Sequence, residues 1–206
     1  MVFKKLFLAA AVLVGCVAPA QAVVVFSDNF DADTRGNRRT SLINWTATVG
    51  NVDILGVGGG ANPYVGYGRY VEMAGSNPGS GVGRIETRTS FNIVSGTTYT
   101  IKFDLGVDGT TAETLRFGIG SIFQTINIAA GGIGPGMLTK TFTFLAASNQ
   151  SNVKLFFQTF GANNRGPIVD NVSLSAVPIP GAAMLLLSGL AGVAGLGRMR
   201  GRRVAV

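Results

Sequence analysis

Between Val23 and Ala176 no stretch carries the 3.6-residue apolar period of a long amphipathic helix. The apolar residues come instead in short runs with a period of two, cut by Gly, Asn or Pro about every ten residues. The runs Val23–Phe26, Asn44–Val49, Val52–Leu55, Tyr70–Met73, Gly83–Phe91, Thr98–Leu105, Thr114–Ile119, Ile122–Ile128, Leu138–Leu145, Val153–Thr159 and Ile168–Ala176 read as strands. In Thr98–Leu105, Tyr99, Ile101, Phe103 and Leu105 share one face, and Thr98, Thr100, Lys102 and Asp104 share the other. Leu138 falls in register with Phe142 and Phe144, with one imperfect step at Lys140. In the last run Ile168, Asp170, Val172, Leu174 and Ala176 oppose Val169, Asn171, Ser173 and Ser175. Strands with one apolar face must bury it against a second layer, so the expected fold is all-β, a two-sheet antiparallel β-sandwich. The Gly-rich stretches Gly56–Gly68, Gly75–Gly83 and Ala130–Gly136 are loops, and no βαβ unit follows them, so they make no phosphate cradle.

The net charge of +7 suggests a nucleic-acid binder until its distribution is read. Of the 17 Lys and Arg, Lys4 and Lys5 stand near the start and Arg198, Arg200, Arg202 and Arg203 near the end, which leaves eleven against ten acidic residues between Val23 and Ala176. Phosphate recognition needs a clustered basic footprint, so no nucleic-acid partner is expected. The chain has no His, and its one Cys is Cys16. That removes Ser-His-Asp and Cys-His catalysis, His-ligated metals and any disulfide in the middle segment. The remaining carboxylates Asp53, Glu72, Glu86, Asp104, Asp108 and Glu113 are scattered on alternating, outward positions, where a solvated face is expected. Glycoside hydrolysis needs a carboxylate pair about 5–10 Å apart, and no enzyme is expected.

Residues 1–22 have the three parts of a secretion signal: Lys4-Lys5, an apolar run Leu6–Val17, and the small-residue site Ala20-Gln21-Ala22, which places the mature start at Val23. Leu13-Val14-Gly15-Cys16 also resembles a bacterial lipobox, which would instead lipidate Cys16. Residues 23–176 form the β domain. From Val177 the composition changes again, with Pro178 and Pro180 ahead of an uncharged stretch, 181–197, that would make about 26 Å of transmembrane helix. The basic tail 198–203 follows, and the positive-inside rule keeps it cytoplasmic while the domain is translocated. Val177-Pro178-Ile179-Pro180, the Ala/Leu/Gly span and the Arg cluster together resemble the PEP-CTERM protein-sorting signal, with Ile179 in place of the usual acidic middle residue. The resemblance covers about thirty residues and implies an exosortase-type membrane peptidase as partner. It also implies a Gram-negative cell that makes an exopolysaccharide or biofilm matrix, and delivery to the cell envelope or beyond.

The domain opens Phe26-Ser27-Asp28-Asn29-Phe30-Asp31 and closes Gly166-Pro167-Ile168-Val169-Asp170-Asn171-Val172-Ser173-Leu174. These two ends resemble jelly-roll carbohydrate-binding modules and their galactose-binding-like relatives. The resemblance implies a structural calcium near the junction of first and last strands, for which Asp28, Asn29, Asp31 and Asp170 supply hard oxygen ligands. The same residues at strand ends also serve turn backbones without a metal. Sugar binding requires exposed aromatics for stacking, and Trp45, Tyr64, Tyr67 and Tyr70 are the candidates; alternatively Trp45 fills the core and the tyrosines pack loops. Three functions remain, in this order: a non-enzymatic matrix or envelope protein, a module of the same fold that recognises the exopolysaccharide, and a glycoside-processing enzyme.

Overall fold

The period-two runs are paired as strands in a computed structural model, which describes residues 21–57, 63–76, 82–107, 111–130, 136–161 and 164–177. Among the described residues the strands are β1 Val23–Asp28, β2 Gly36–Arg39, β3 Trp45–Val49, β4 Val52–Gly56, β5 Arg69–Glu72, β6 Arg84–Thr87, β7 Phe91–Ile93, β8 Thr98–Val107, β9 Glu113–Ile119, β10 Ile122–Ile128, β11 Leu138–Leu145, β12 Gln150–Val153, β13 Leu155–Thr159 and β14 Pro167–Val177. The larger sheet runs β11-β8-β14-β5-β4-β2, with β1 also paired to β14; the second runs β10-β9-β13-β6-β3; β7 and β12 make a short third ladder. The result is an all-β, antiparallel sandwich of jelly-roll type, and Val23–Ala176 is one compact unit.

Two expected runs are each broken in two. Gly83–Phe91 ends as a strand at Thr87; the Arg88 N–H still reaches the Asn44 carbonyl (2.8 Å), one step on from Trp45↔Thr87, and the chain then leaves as β7 to pair with β12. Val153–Thr159 breaks at Lys154, where the chain passes from β12, paired with β7, to β13, paired with β9 and β6; the Lys154 carbonyl accepts the Gly120 N–H (3.2 Å) one step beyond Leu155↔Ile119. β2, sequence GNRR, has no apolar alternation to announce it. It is held to β4 by the Arg38 N–H donating to Asp53 Oδ1 (2.7 Å), with Arg38 at φ 56°.

The expected inward face of β8 is the face that packs: Tyr99, Ile101, Phe103 and Leu105 are all buried. Phe103 meets Phe117 edge-on at 4.7 Å and Phe157 at 5.0 Å, joining the two sheets through offset aromatic contacts. A second, smaller cluster lies apart from this core: Leu55, Tyr64, Tyr70 and Ile168, with Tyr67 and Met137 against it.

β14 corrects the simple alternation expected of it. Val169, Val172 and Leu174 all belong to the main core, whereas Ile168 belongs to the second cluster. The step of three between Val169 and Val172 is a β-bulge: Asn171 takes a left-handed backbone (φ 48°), which Asn tolerates better than most residues. The bulge sits where β14 changes neighbour, from β5 at Ile168↔Glu72 and Val169↔Val71 to β1 at Val172↔Asp28.

Residues 1–20, including Cys16 and Ala20, and residues 178–206, including Pro178, Pro180, the expected helix and Arg198, Arg200, Arg202 and Arg203, lie outside the described residues. Ala22 and Val23, which flank the expected cleavage point, are exposed. No helix among the described residues is long and apolar enough to cross a membrane.

Candidate functional site

Trp45 does not reach solvent. It is fully buried, with Phe26, Phe30 and Phe157 at ring-centroid distances of 5.5, 5.9 and 5.8 Å, and its Nε1 donates to Asp28 Oδ2 (2.8 Å). Inward register on β3 drives this, since Trp45 precedes the inward-packed Ala47 by two residues. Tyr64 is likewise withdrawn from a sugar-stacking role. Its ring lies over Gly106, where an added Cβ would come within 2.6 Å of it, and its hydroxyl accepts from the Val107 N–H (2.8 Å). Tyr67 stands edge-on to Tyr64 at 6.0 Å, half-buried, and its hydroxyl accepts from the Met137 N–H (3.3 Å). These tyrosines fasten a loop down over the second cluster.

The four expected oxygen ligands come from the neighbourhood of the β1–β14 junction. Asp28 accepts from Trp45 Nε1 and from the Phe30 N–H (3.0 Å). Asp31 accepts from the Arg69 N–H (2.8 Å) and Asn29 Nδ2 (2.8 Å). Asp170, buried at the bulge, accepts the Asn171 N–H (2.7 Å), while Asn171 Nδ2 donates to Asp104 Oδ2 (2.9 Å). Burial pushes the Asp170 carboxyl up to about 7; the Asn171 N–H opposes this, and the negative charges of Asp31, Asp104 and Asp28 reinforce it. A hollow of about 440 Å³ lined by Ser27, Asp28, Asn29, Asn171, Val172 and Ser173 opens beside the junction. Among the described residues no three Asp, Glu, His or Cys side chains lie close enough together to hold a metal by themselves.

Three of the carboxylates expected on a solvated face are in fact buried: Asp53, Glu72 and Glu113. Asp53 and Glu72 are cross-strand partners on β4 and β5. Asp53 accepts from the Arg38 and Ser76 N–H groups, and Glu72 from the Ala74 and Gly75 N–H groups (2.9 Å each), so both pin the turn that follows β5 and Asp53 also holds β2. Asp108 lies outside the described residues.

The aromatic surface that does face solvent was not anticipated. It is the outer side of the five-stranded sheet, where register aligns two rows across the strands. Phe123, Gly118, Phe156, Glu86 and Thr46 form one row; Thr125, Arg116, Gln158 and Arg84 form the next. Phe123 is 51% and Phe160 43% exposed, and the Arg116 guanidinium lies between them, 4.9 and 4.7 Å from their ring centroids. Arg84 covers Phe156 at 4.0 Å, pairs with Glu86 (Nε to Oε1, 2.8 Å) and donates through Nη1 to Gln158 Oε1 (3.0 Å). Gly118 is required here: a Cβ would stand 2.1 Å from the Ile122 carbonyl oxygen and 2.7 Å from the Phe123 Cβ. The sequence signal was a glycine inside an otherwise regular strand beside outward Phe residues.

No family model matches the chain, and no curated protein matches it. Solved structures of similar architecture include the CBM22-1 xylan-binding domain from Paenibacillus barcinonensis Xyn10C, at 13% identity and TM-score 0.45, covering 79% of this chain and 99% of that one. Another is a CBM35 from Paenibacillus barcinonensis, at 17% identity and TM-score 0.41, covering 72% and 97%. A third is the Clostridium thermocellum endo-1,4-β-D-xylanase 10B CBM22-1–GH10 structure complexed with xylohexaose, at 15% identity and TM-score 0.46. It matches 74% of this chain, which spans 28% of its length.

Proposed function

We propose that this chain is an exported, non-enzymatic polysaccharide-binding module of the cell envelope or extracellular matrix, which holds its ligand on the outer face of the five-stranded sheet. The observation that carries this is the row of exposed rings and amide or guanidinium groups around Arg116. A pyranose offers an apolar C–H face that stacks on an aromatic ring, and hydroxyls that pair with Arg, Gln, Asn and Thr. Phe123 and Phe160 supply the rings; Gln158, Thr125 and Asn127 supply polar groups on the same face. Phe123→Ala and Phe160→Ala are each expected to weaken retention by the host exopolysaccharide in affinity electrophoresis roughly tenfold. Because both rings are exposed, the unfolding midpoint should barely move. Unchanged retention in both variants would remove the proposal and leave a matrix protein without a sugar site.

The address of the chain supports the same reading. The leader through Ala22 would deliver the domain across the membrane; the tail from Val177 would hold it there until an exosortase-type peptidase acts. Intact-mass analysis from a native host should find a product beginning at Val23 and lacking the tail. Replacing Arg198, Arg200, Arg202 and Arg203 by Ser should abolish that processing, and a mature product that keeps its tail would argue for an ordinary membrane anchor.

The junction of β1 and β14 is proposed to hold a structural calcium ion through Asp31 and Asp170, with Asp28 and Asn29 alongside. Each carboxylate oxygen that accepts one hydrogen bond keeps a lone pair. Calcium takes six to eight oxygens, many from backbone and water, so two carboxylates are enough to anchor it.

A further inference from the structure

We infer that the polysaccharide held on the five-stranded sheet is acidic, and that Arg116 reads a uronate carboxylate on it; this rests on the binding face proposed above. The two arginines of the face stand in opposite electrostatic states. Arg84 is neutralised by Glu86 and tied to Gln158. Arg116 makes no hydrogen bond and no ion pair with any described residue, and its Nε is enclosed without a partner. The charged groups on the outward rows are therefore Arg84, Glu86 and Arg116, and the charge left over is that of Arg116.

The surroundings of Arg116 suit one kind of anion. Rings on both sides at 4.9 and 4.7 Å fix the position of the guanidinium and strip water from its faces, which strengthens what it donates at its edge. A planar fork pairs bidentately with a planar carboxylate. A sugar ring resting on Phe123 or Phe160 would bring a carboxylate on its C5 beside that fork. The guanidinium held by two rings matches one carboxylate per repeat; of the cations one register step away, Arg88 is turned to the Leu42 carbonyl and Ser41 Oγ, and Lys154 lies beside Gly120.

The test uses the purified full chain and three uronans, polygalacturonate, alginate and glucuronoxylan, each set beside the same polymer with its carboxyls reduced to alcohols. At least one parent uronan is expected to bind on the order of ten times tighter than its reduced form. Arg116→Gln should erase that difference, bringing the parent uronan down to the affinity its reduced form shows for the same variant, and Arg116→Lys should restore it only in part. Phe123→Ala should weaken both forms. Equal binding of parent and reduced polymers, lost on Phe123→Ala, would overturn the acidic ligand and keep the sugar-binding face. Failure to bind any polymer of the set would overturn the uronate assignment, and failure to bind the host exopolysaccharide as well would overturn both. Equal affinity for single-stranded DNA would show a general polyanion surface and overturn the uronate assignment.

Discussion

Trp45→Ala is expected to lower the unfolding free energy by about 3–5 kcal/mol, the largest effect of any single side-chain truncation in this domain. Trp45 is the largest of the fully buried side chains, and it joins β3 of one sheet to Phe26 of β1 in the other while touching Phe157. Truncation opens a cavity among rings from β1, β13 and the bend after β1, and neither strand can slide along its ladder to fill it. The same change strips Asp28 of one of its two donors. For a domain of this size the thermal midpoint should fall by on the order of 10 °C. Trp45→Phe separates the two contributions: it keeps most of the aromatic volume and loses the Nε1 donor, so a smaller loss of about 1–2 kcal/mol is expected. Urea titration of both variants decides the matter. If the alanine variant unfolded within 1 kcal/mol of the parent yet lost polysaccharide retention, the buried placement of Trp45 would be wrong and its sugar-stacking role would return.

The second large effect is a fall in stability between about pH 4 and pH 7, measured with a chelator present. Its source is Asp170, raised to about 7 by burial and by the carboxylates of Asp31, Asp104 and Asp28. Below the ordinary aspartate value both folded and unfolded chains hold the proton, and the burial of Asp170 costs little. Between that value and 7 only the folded chain holds it, so unfolding releases a proton and each rise in pH favours the unfolded state. Above 7 both states have lost it and the contribution levels off. The whole span amounts to on the order of 4 kcal/mol at most. Asp170→Asn carries no charge at any pH, so the difference between parent and variant should run over this window and then flatten. Equal slopes in the two proteins would mean that Asp170 is ionised in the folded state throughout. At pH 8 a millimolar calcium addition should raise the midpoint of the parent and not that of the variant; a parent indifferent to calcium would remove the proposed ion.

Those two residues also show how far the sequence could be read. A strand whose pattern is complete on its own announces itself: Ile122–Ile128 and Leu138–Leu145 have the bounds their alternation predicts, and β8 buries the expected face. What period two cannot carry is an interruption of period two. The left-handed Asn171 moves Val172 and Leu174 onto the face of Val169, and nothing in the run Ile168–Ala176 distinguishes that bulge from regular alternation. The same holds at Lys154 and Arg88, where the chain changes pairing partner, to or from the β7–β12 ladder, within a run that local pattern would continue. The aromatic residues misled for a related reason. Tyrosines in a Gly-rich loop look available, but Tyr64 finds a hydrogen-bond partner at Val107, 43 residues away, and a glycine at 106 that makes room for its ring. Phe123 and Phe160, by contrast, look like core until the register places Phe123 opposite Gly118, on the face turned away from Phe117.

β14 is an interior strand of the larger sheet, with β8 on one side and β5 and β1 on the other, yet it is the last strand of the domain in chain order. A chain that emerges N-terminus first therefore has every other piece in hand and nothing to join them: β8 and β11 cannot meet β5, β4 and β2 until residues 167–177 arrive. Val23 must also wait for Ala176, its partner across the sheet, so the loop closed by that pairing is almost the whole domain. Closing such a loop comes late and slowly, because its entropy is lost before its contacts are gained. Under the export proposed above, the delay is useful: the architecture postpones its own completion until the chain has passed through.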